Sequence, residues 1–402
     1  MRRVLGKARL WAVLALGVTL ASACIPPPAT DADNATGAPG NEWGWFESDR
    51  VWRGDFGDPH VVLSNGVYYA YASPVGGRYL PMLTSSDLVT WKIHKRWSTS
   101  PAPWAGGPSP SSDPSIPIEI RQSAMSDGDK WNMNDALVKP ASWGLRHDQG
   151  PWINRDLWAP GVAKIGNTWF AYSAVKVSNQ SDDPHGYGRF CITVASGPSP
   201  GGPFRDSSTR PVVCDVDPAG SIDPAPYFDP VSRAWYLTWK AAGKVGSYPS
   251  ALKAQRLGGD GLRATGSSPV TLLQTKANSW EGNTIENPSL VRWGGTTYLF
   301  YAANDSTANE YGISNYGTGY AECPQGPLGP CRRLTDQPLL SSGDPQQGPG
   351  GGSAFVDKNG QLRFAYSYYW LGENRANTFI AHPRRLAVVR VLRNLMGQLY
   401  VG

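Results

Sequence analysis

The chain has 402 residues, with 46 Gly and 35 Pro spread along it, so few stretches could carry an unbroken helix of three turns and an all-helical protein is excluded. The formal net charge is +5, but Arg2, Arg3, Lys7 and Arg9 supply four of those charges with no acid beside them, which leaves too little for a nucleic-acid footprint on the body. The 17 Trp and 18 Tyr exceed what a core of this size needs; flat rings offer faces on which the CH-rich side of a sugar rests, so carbohydrate is the first ligand to consider.

In chain order, residues 1–23 read as a signal peptide: a basic start, an apolar run from Leu10 to Leu20, then Ala21-Ser22-Ala23 before Cys24. Nothing beyond this segment is apolar enough to span a bilayer. The stretch Leu20 to Cys24 is similar to a lipobox with Ala21 where Leu is usual. Cysteine parity favours that reading, because the five cysteines are 24, 191, 214, 323 and 331, and lipidation of Cys24 accounts for the odd thiol of an exported protein. The expected location is secreted or cell-surface, as a membrane-anchored lipoprotein with a lipid as its sole membrane contact. Residues 24–45, rich in Pro, Ala and Gly, read as a tether.

From residue 46 onward the chain repeats. Pro160, Pro224, Pro288 and Gly352 are spaced by 64 residues each, and every one is followed ten to twelve residues later by an aromatic β-run, at Phe170, Tyr236, Tyr298 and Phe364. A further copy anchors at Pro59 with Tyr69; the longer distance to Pro160 implies an insertion, placed around Ser98 to Lys130. Each copy reads as short strands joined by Gly- or Asn-Gly turns, and one such unit cannot bury both faces. Residues 46–402 are therefore expected to form an all-β domain, a single five-bladed β-propeller, preceded by the signal peptide and short tether. A β-sandwich is the competing architecture.

In a propeller the residues before each repeat anchor converge on the axis. They include three acids, Asp58, Asp223 and Glu286, against Ala159 and Gly351 in the other two copies. Asp before Pro is also a plain turn signal, found here at Asp113, Asp183, Asp217, Asp229 and Asp344. Position in the repeat separates Asp58 and Asp223 from that background.

These residues resemble glycoside hydrolase family 43, five-bladed propellers acting on arabinose- and xylose-containing polysaccharides. Asp58-Pro59 with Gly66 to Tyr71 is similar to the family's general-base segment, and Ser85 to Trp91 to its next strand and turn. Ser221-Ile222-Asp223-Pro224 resembles the segment of the acid that modulates pKa, Ile285 to Ser289 that of the general acid, and Trp158-Ala159-Pro160 a blade-two signature. The resemblance implies Glu286 as acid, Asp58 as base and Asp223 as the group raising the acid's pKa. Trp158 and Asn287 are expected to contact the sugar. The chain departs from the family at Gly161, often Asp there, at Asn287, where Gly or Ala is common, and at Gly348 to Gly352, which lacks a His associated with a pore metal. No cofactor is expected to be required, no metal ligand is assigned, and a calcium ion in the pore is left doubtful.

Other patterns carry less. Gly197-Pro198-Ser199-Pro200-Gly201 matches G-x-S-x-G, but two prolines forbid the helix that a nucleophile elbow needs. His60, His94, His147, His185 and His382 lack metal-ligand spacing, and Arg384, Arg385, Arg390 and Arg393 read as the solvent face of a strand. Short separation pairs Cys191 with Cys214 and Cys323 with Cys331. The resulting expectation is an exported, monomeric, inverting glycosidase that removes α-L-arabinofuranosyl or β-D-xylosyl units from plant cell-wall polysaccharide. An endo-1,5-α-L-arabinanase and a non-catalytic carbohydrate-binding surface lipoprotein are the alternatives.

Overall fold

Each repeat folds as one sheet, antiparallel throughout except at one edge of blade two, in which the strand at the anchor lies innermost. Blade one is β1 (His60–Ser64), β2 (Val67–Tyr71), β3 (Met82–Ser85) and β4 (Lys92–Ile93). Blade two holds β5 (Leu137–Lys139), β6 (Leu157–Ile165), β7 (Thr168–Ser178), β8 (Arg189–Gly197) and β9 (Phe204–Arg205); β5 arrives from the region of the insertion and pairs parallel to β9 at the outer edge. Blade three is β10 (Ser221–Asp229), β11 (Ala234–Ala241), β12 (Ala251–Leu257) and β13 (Ala264–Gln274). Blade four is β14 (Ile285–Trp293), β15 (Thr296–Ala303), β16 (Gly317–Glu322) and β17 (Arg332–Arg333), and blade five is β18 (Gln346–Val356), β19 (Leu362–Trp370), β20 (Arg385–Arg393) and β21 (Leu399–Val401).

This computed structural model describes residues 56–74, 79–93, 135–145, 157–178, 188–215, 220–243, 249–309, 311–371 and 384–402. The expected signal peptide, the tether, Cys24 and the Ser98 to Lys130 insertion lie outside the described residues. Among the described residues there is no helix.

The inner strands close a ring: β6 touches β10, β10 touches β14, β14 touches β18, and β1 touches both β18 and β6. Among the described residues no sheet mixes strands from the two ends of the chain, so closure rests on packing and a few bonds between blades one and five. Phe56 N donates to Arg384 O at 2.7 Å, Val61 N to Ser353 Oγ at 3.1 Å and Lys358 N to Tyr68 Oη at 3.0 Å.

The apolar core is divided into five wedges, one between each pair of neighbouring blades. Tyr71, Leu137, Val162 and Phe204 fill the wedge between blades one and two, and Tyr172, Ile192, Leu237 and Trp239 that between two and three. Tyr236, Leu252, Leu299 and Tyr301 lie between three and four, Phe300, Tyr320, Phe364 and Tyr366 between four and five, and Tyr68, Leu83, Phe355 and Ala365 between five and one. The aromatic run of each repeat feeds these wedges, because alternate residues of one strand face opposite neighbours. Much of the Tyr and Phe content is thereby structural.

Both expected disulfides are present, Cys191–Cys214 and Cys323–Cys331. Gly197 ends β8 without a following helix, so the G-x-S-x-G pattern is a turn, with Ser199 Oγ donating to Gly202 O at 2.6 Å. Gly161 is forced by packing: a Cβ there would lie 2.2 Å from Pro224 O and 2.6 Å from Pro226 Cδ on the next blade. The Asp that the resemblance leads one to expect at this place has no room here. Gly161→Ala should cost about 1–3 kcal/mol by overpacking the junction of blades two and three, read as a lowered midpoint in urea unfolding; an unchanged midpoint would show that the inner ring is loosely packed.

Candidate active site

Near the mouth the backbone of each inner strand leaves the ladder for two residues, in β18 after an earlier lapse between Gln347 and Gly350. Pairing lapses between Trp158 and Gly161, Ile222 and Ala225, Glu286 and Ser289, and Gly350 and Ser353, and in blade one the corresponding residues precede β1. The bulged pairs are Asp58-Pro59, Ala159-Pro160, Asp223-Pro224, Asn287-Pro288 and Gly351-Gly352. Proline suits the second place because it has no N–H to give a ladder. The first residue of each pair is left-handed, with φ of 53° at Asp58, 42° at Ala159, 56° at Asp223, 50° at Asn287 and 64° at Gly351. Asp, Asn and Gly tolerate that region; Ala159 is the strained member.

This ring corrects the register expected for the acids. Asp58 and Asp223 are level, but the residue level with them in blade four is Asn287, and Glu286 stands one place earlier, in line with Gly57, Trp158, Ile222 and Gly350. The offset is already present in the sequence, where Glu286 stands two residues before Pro288, and the bulge expresses it by turning residue 287 toward the axis and leaving Glu286 on the ladder opposite Ala302. All three carboxylates nonetheless reach one mouth. The axial channel below them is walled by segments 58–60, 159–160, 223–225, 287–289 and 351–353.

Each acid has its own set of partners. Asp58 Oδ2 accepts from Ser73 Oγ at 2.6 Å and from Arg384 Nη1 at 3.4 Å, while Ser73 Oγ also accepts from the backbone of the neighbouring Ala159 at 2.9 Å. Asp223, buried, accepts from Asn287 N at 2.9 Å. Glu286 is held at both oxygens: Lys240 Nζ donates to Oε2 at 2.7 Å and Tyr316 Oη to Oε1 at 2.6 Å, with Asn287 Oδ1 3.0 Å from the same hydroxyl. Burial, then the charge of Glu286, pushes Asp223 far above the usual carboxylate range, to about 8, although Lys240 pulls the other way. Burial and the Glu286 charge also raise the Tyr316 phenol well above its ordinary value, which keeps it a donor.

The partners Lys240, Tyr316, Arg384 and Ser73 escaped sequence reading, and Arg384 was expected on a solvent face. It precedes β20 and turns inward over Gly57, where a Cβ would fall 1.8 Å from its Cζ. Tyr316 uses a second glycine in the same way, since a Cβ on Gly350 would lie 2.5 Å from its ring. The glycines at one level of two blades were the available signal. For Lys240 the signal was a charge inside an aromatic run: it pairs with Ile222 where blades two and four pair Trp158 with Ala174 and Glu286 with Ala302.

Trp158 is half-buried and stacks on Phe190, with ring centroids 4.1 Å apart and planes at 25°. Among the described residues no group of three or more His, Cys, Asp or Glu is placed to hold a metal ion. The imidazole in the channel, His60, is half-buried and donates from Nε2 to Val162 O at 3.0 Å, and desolvation lowers its pKa to about 4.

The sequence profile of Glycosyl hydrolases family 43 matches residues 119–384. No curated protein matches the chain in sequence. Among solved structures, the chain is similar to a thermostable family-43 glycoside hydrolase, with 23% identity, a TM-score of 0.61 and coverage of 87% of this chain and 93% of the other. It is similar also to an endo-1,4-beta-xylanase from Bacteroides thetaiotaomicron, at 22% identity, TM-score 0.57 and coverage of 87% and 94%. An alpha-L-arabinofuranosidase from Lactobacillus brevis shares 17% identity with a TM-score of 0.59 over 86% and 94% of the two chains. At these identities the shared feature is the fold.

The raised pKa of Asp223 has a consequence for stability. Between about pH 4 and pH 8 the unfolded chain has shed this proton and the folded protein keeps it, so the wild type loses stability as pH rises through that window. Asp223→Asn cannot titrate and retains an oxygen for Asn287 N. Its melting temperature should gain on the wild type from pH 4 to pH 8, by up to about 1.4 kcal/mol of stability per pH unit; a difference independent of pH would show that Asp223 is ionised in the folded protein.

Proposed function

The chain belongs to glycosyl hydrolases family 43, and from that premise we propose that it removes α-L-arabinofuranosyl or β-D-xylosyl units from plant cell-wall polysaccharides or their fragments, with inversion at the anomeric carbon. The observation that carries this reading is the meeting of three carboxylates from three blades at one channel mouth, in three different environments.

Hydrolysis needs a proton for the departing glycosidic oxygen and a base for the incoming water. Glu286, fixed at both oxygens, delivers the proton to the oxygen as the C–O bond breaks. Asp58, steadied by Ser73 and Arg384, takes a proton from the water whose oxygen bonds to the anomeric carbon. Asp223, buried beside the charge of Glu286, keeps a proton into the neutral range, so the pair carries one proton for the leaving group. After turnover Asp58 releases its proton to solvent and the pair regains one, so the net change is one water consumed. Trp158, backed by Phe190, offers a ring face to the sugar, and Asn287 stands at the axial ring beside the reacting groups.

Asp58 and Glu286 come from blades one and four, with blade five between them, an arrangement that suits a base acting through a water across a gap of roughly 6.5 to 9.5 Å. Nitrophenyl α-L-arabinofuranoside, nitrophenyl β-D-xyloside and linear arabinan separate the readings. Cleavage of a small glycoside supports exo action, cleavage of arabinan alone an endo-arabinanase, and silence on all three a sugar-binding protein. Glu286→Gln and Asp58→Asn should each lower kcat by about 10²- to 10⁴-fold with melting temperature retained, and proton NMR should show the first-formed sugar as the opposite anomer. A Glu286→Gln variant of near wild-type rate, or retention of configuration, rejects these roles.

We also propose export with a lipid on Cys24. The two disulfides support an oxidising compartment. Expressed in a bacterium with its own leader, the protein should fractionate with membranes and Cys24→Ala should appear in the soluble fraction; a wild type found wholly in the medium overturns the anchor.

A further inference from the structure

Among the described residues the channel mouth gathers three carboxylates and two cations. Asp58, Asp223 and Glu286 face Arg384, which lies 3.4 Å from Asp58, and Lys240, which lies 2.7 Å from Glu286. Lys240 rises from the end of β11 with its side chain 9% exposed, and Glu286 is 13% exposed, so water does little to screen the pair. A half-buried cluster of these three acids and two cations reaches neutrality by keeping one proton. With one cation fewer it reaches neutrality only with two.

We propose that Lys240 is a positioning residue that sets the proton count of this cluster at one, leaving a carboxylic acid for the leaving group and a free carboxylate for the water. The inference rests on the glycosidase reading and adds to it the group that keeps acid and base in opposite protonation states. The contact geometry supports a specific role. Lys240 holds Oε2 of Glu286 and Tyr316 holds Oε1, so the carboxyl is fixed in its plane. Lys240 also acts on Asp223, whose pKa it lowers against burial and the charges of Glu286 and Asp58. Among the described residues the titratable and charged groups at this mouth are Asp58 before β1, Asp223 on β10, Lys240 on β11, Glu286 on β14, Tyr316 before β16 and Arg384 before β20. His60, below them on β1, is kept neutral by desolvation.

Removing the Lys240 charge therefore moves every carboxyl of the cluster in one direction, toward binding protons more tightly. For two groups a few ångströms apart at partial burial the effect is about one pH unit or more. A residue of merely structural importance would lower the rate without moving a titration.

The first readout needs no substrate. Infrared difference spectra of the free protein follow the C=O stretch of a protonated buried carboxyl, identified by its loss in Asp223→Asn. In Lys240→Gln and Lys240→Met the pH at which this band disappears should rise by about one unit or more, and in Lys240→Arg it should stay within a few tenths. The second readout is the pH profile of kcat/KM on whichever glycoside the wild type cleaves: both limbs should move alkaline together in the uncharged variants and stay in place with Arg. Any one variant that folds is decisive. An uncharged variant whose band and limbs superpose on the wild type, or an Arg variant displaced as far as one pH unit, overturns the inference. A wild type without glycosidase activity overturns the functional reading instead, while the infrared titration still decides the proton count.

Discussion

For five sheets around one axis to present side chains at its mouth, each inner strand must turn residues out of its ladder there. The two-residue bulge with its left-handed first residue is how this chain meets that constraint, five times. The geometry turns one side chain per blade toward the axis, and small or turn-tolerant residues fill the place: Asp, Ala, Asp, Asn and Gly. The strained conformation is over-determined by a proline at the next position in four copies and by a backbone held from neighbouring blades, as when Ser73 bridges Asp58 and the N–H of Ala159. Because the ring is set by backbone geometry, the acids it carries are presented without dependence on long flexible loops.

Bringing three carboxylates to one mouth is electrostatically costly, and the surrounding residues answer it. Arg384 reaches in from before β20 and Lys240 from β11. Gly57 makes room for the guanidinium, as Gly350 does for the Tyr316 ring. Glycine here acts as a vacancy for another residue's side chain, which is a different use from the left-handed Gly351 beside it. The run Gly350-Gly351-Gly352 thus combines three demands: no Cβ against Tyr316, a left-handed turn, and close approach to Ala365 O, 2.0 Å from where a Cβ of Gly352 would lie.

The division of the core into five wedges explains how this mouth stays rigid. Each blade contributes aromatic residues to both of its neighbours, so no blade can tilt without opening two interfaces. Side-chain to backbone bonds near the axis reinforce the joins, with Thr238 Oγ1 donating to Pro288 O at 3.2 Å and Ala354 N to Ser289 Oγ at 2.9 Å. The junction of blades one and five, where the described chain ends meet without exchanging a strand, has the bonds of Val61 and Lys358 in addition to the Tyr68 and Phe355 contact.

The 64-residue period was enough to reveal the blades, their number and the level at which Asp58 and Asp223 converge, since repeat spacing in sequence becomes rotation about an axis in space. Cysteine spacing was likewise enough for both disulfides. Glu286 was legible as an acid near an anchor, but its place was misread by one residue: it stands two residues before Pro288, where Asp58 and Asp223 stand one before Pro59 and Pro224, an offset that the 64-residue period itself carries. Lys240, Tyr316, Arg384 and Ser73 left at most indirect signals, for a further reason. They lie in other strands and loops, tens to hundreds of residues from carboxylates they help to surround, and nothing in a one-dimensional pattern tells an arginine on a strand's solvent face from one that turns inward over a glycine. Burial decided the rest: the same carboxyl group titrates in different ranges when water, a lysine or another carboxylate stands beside it, and only the folded chain determines which neighbour each acid has.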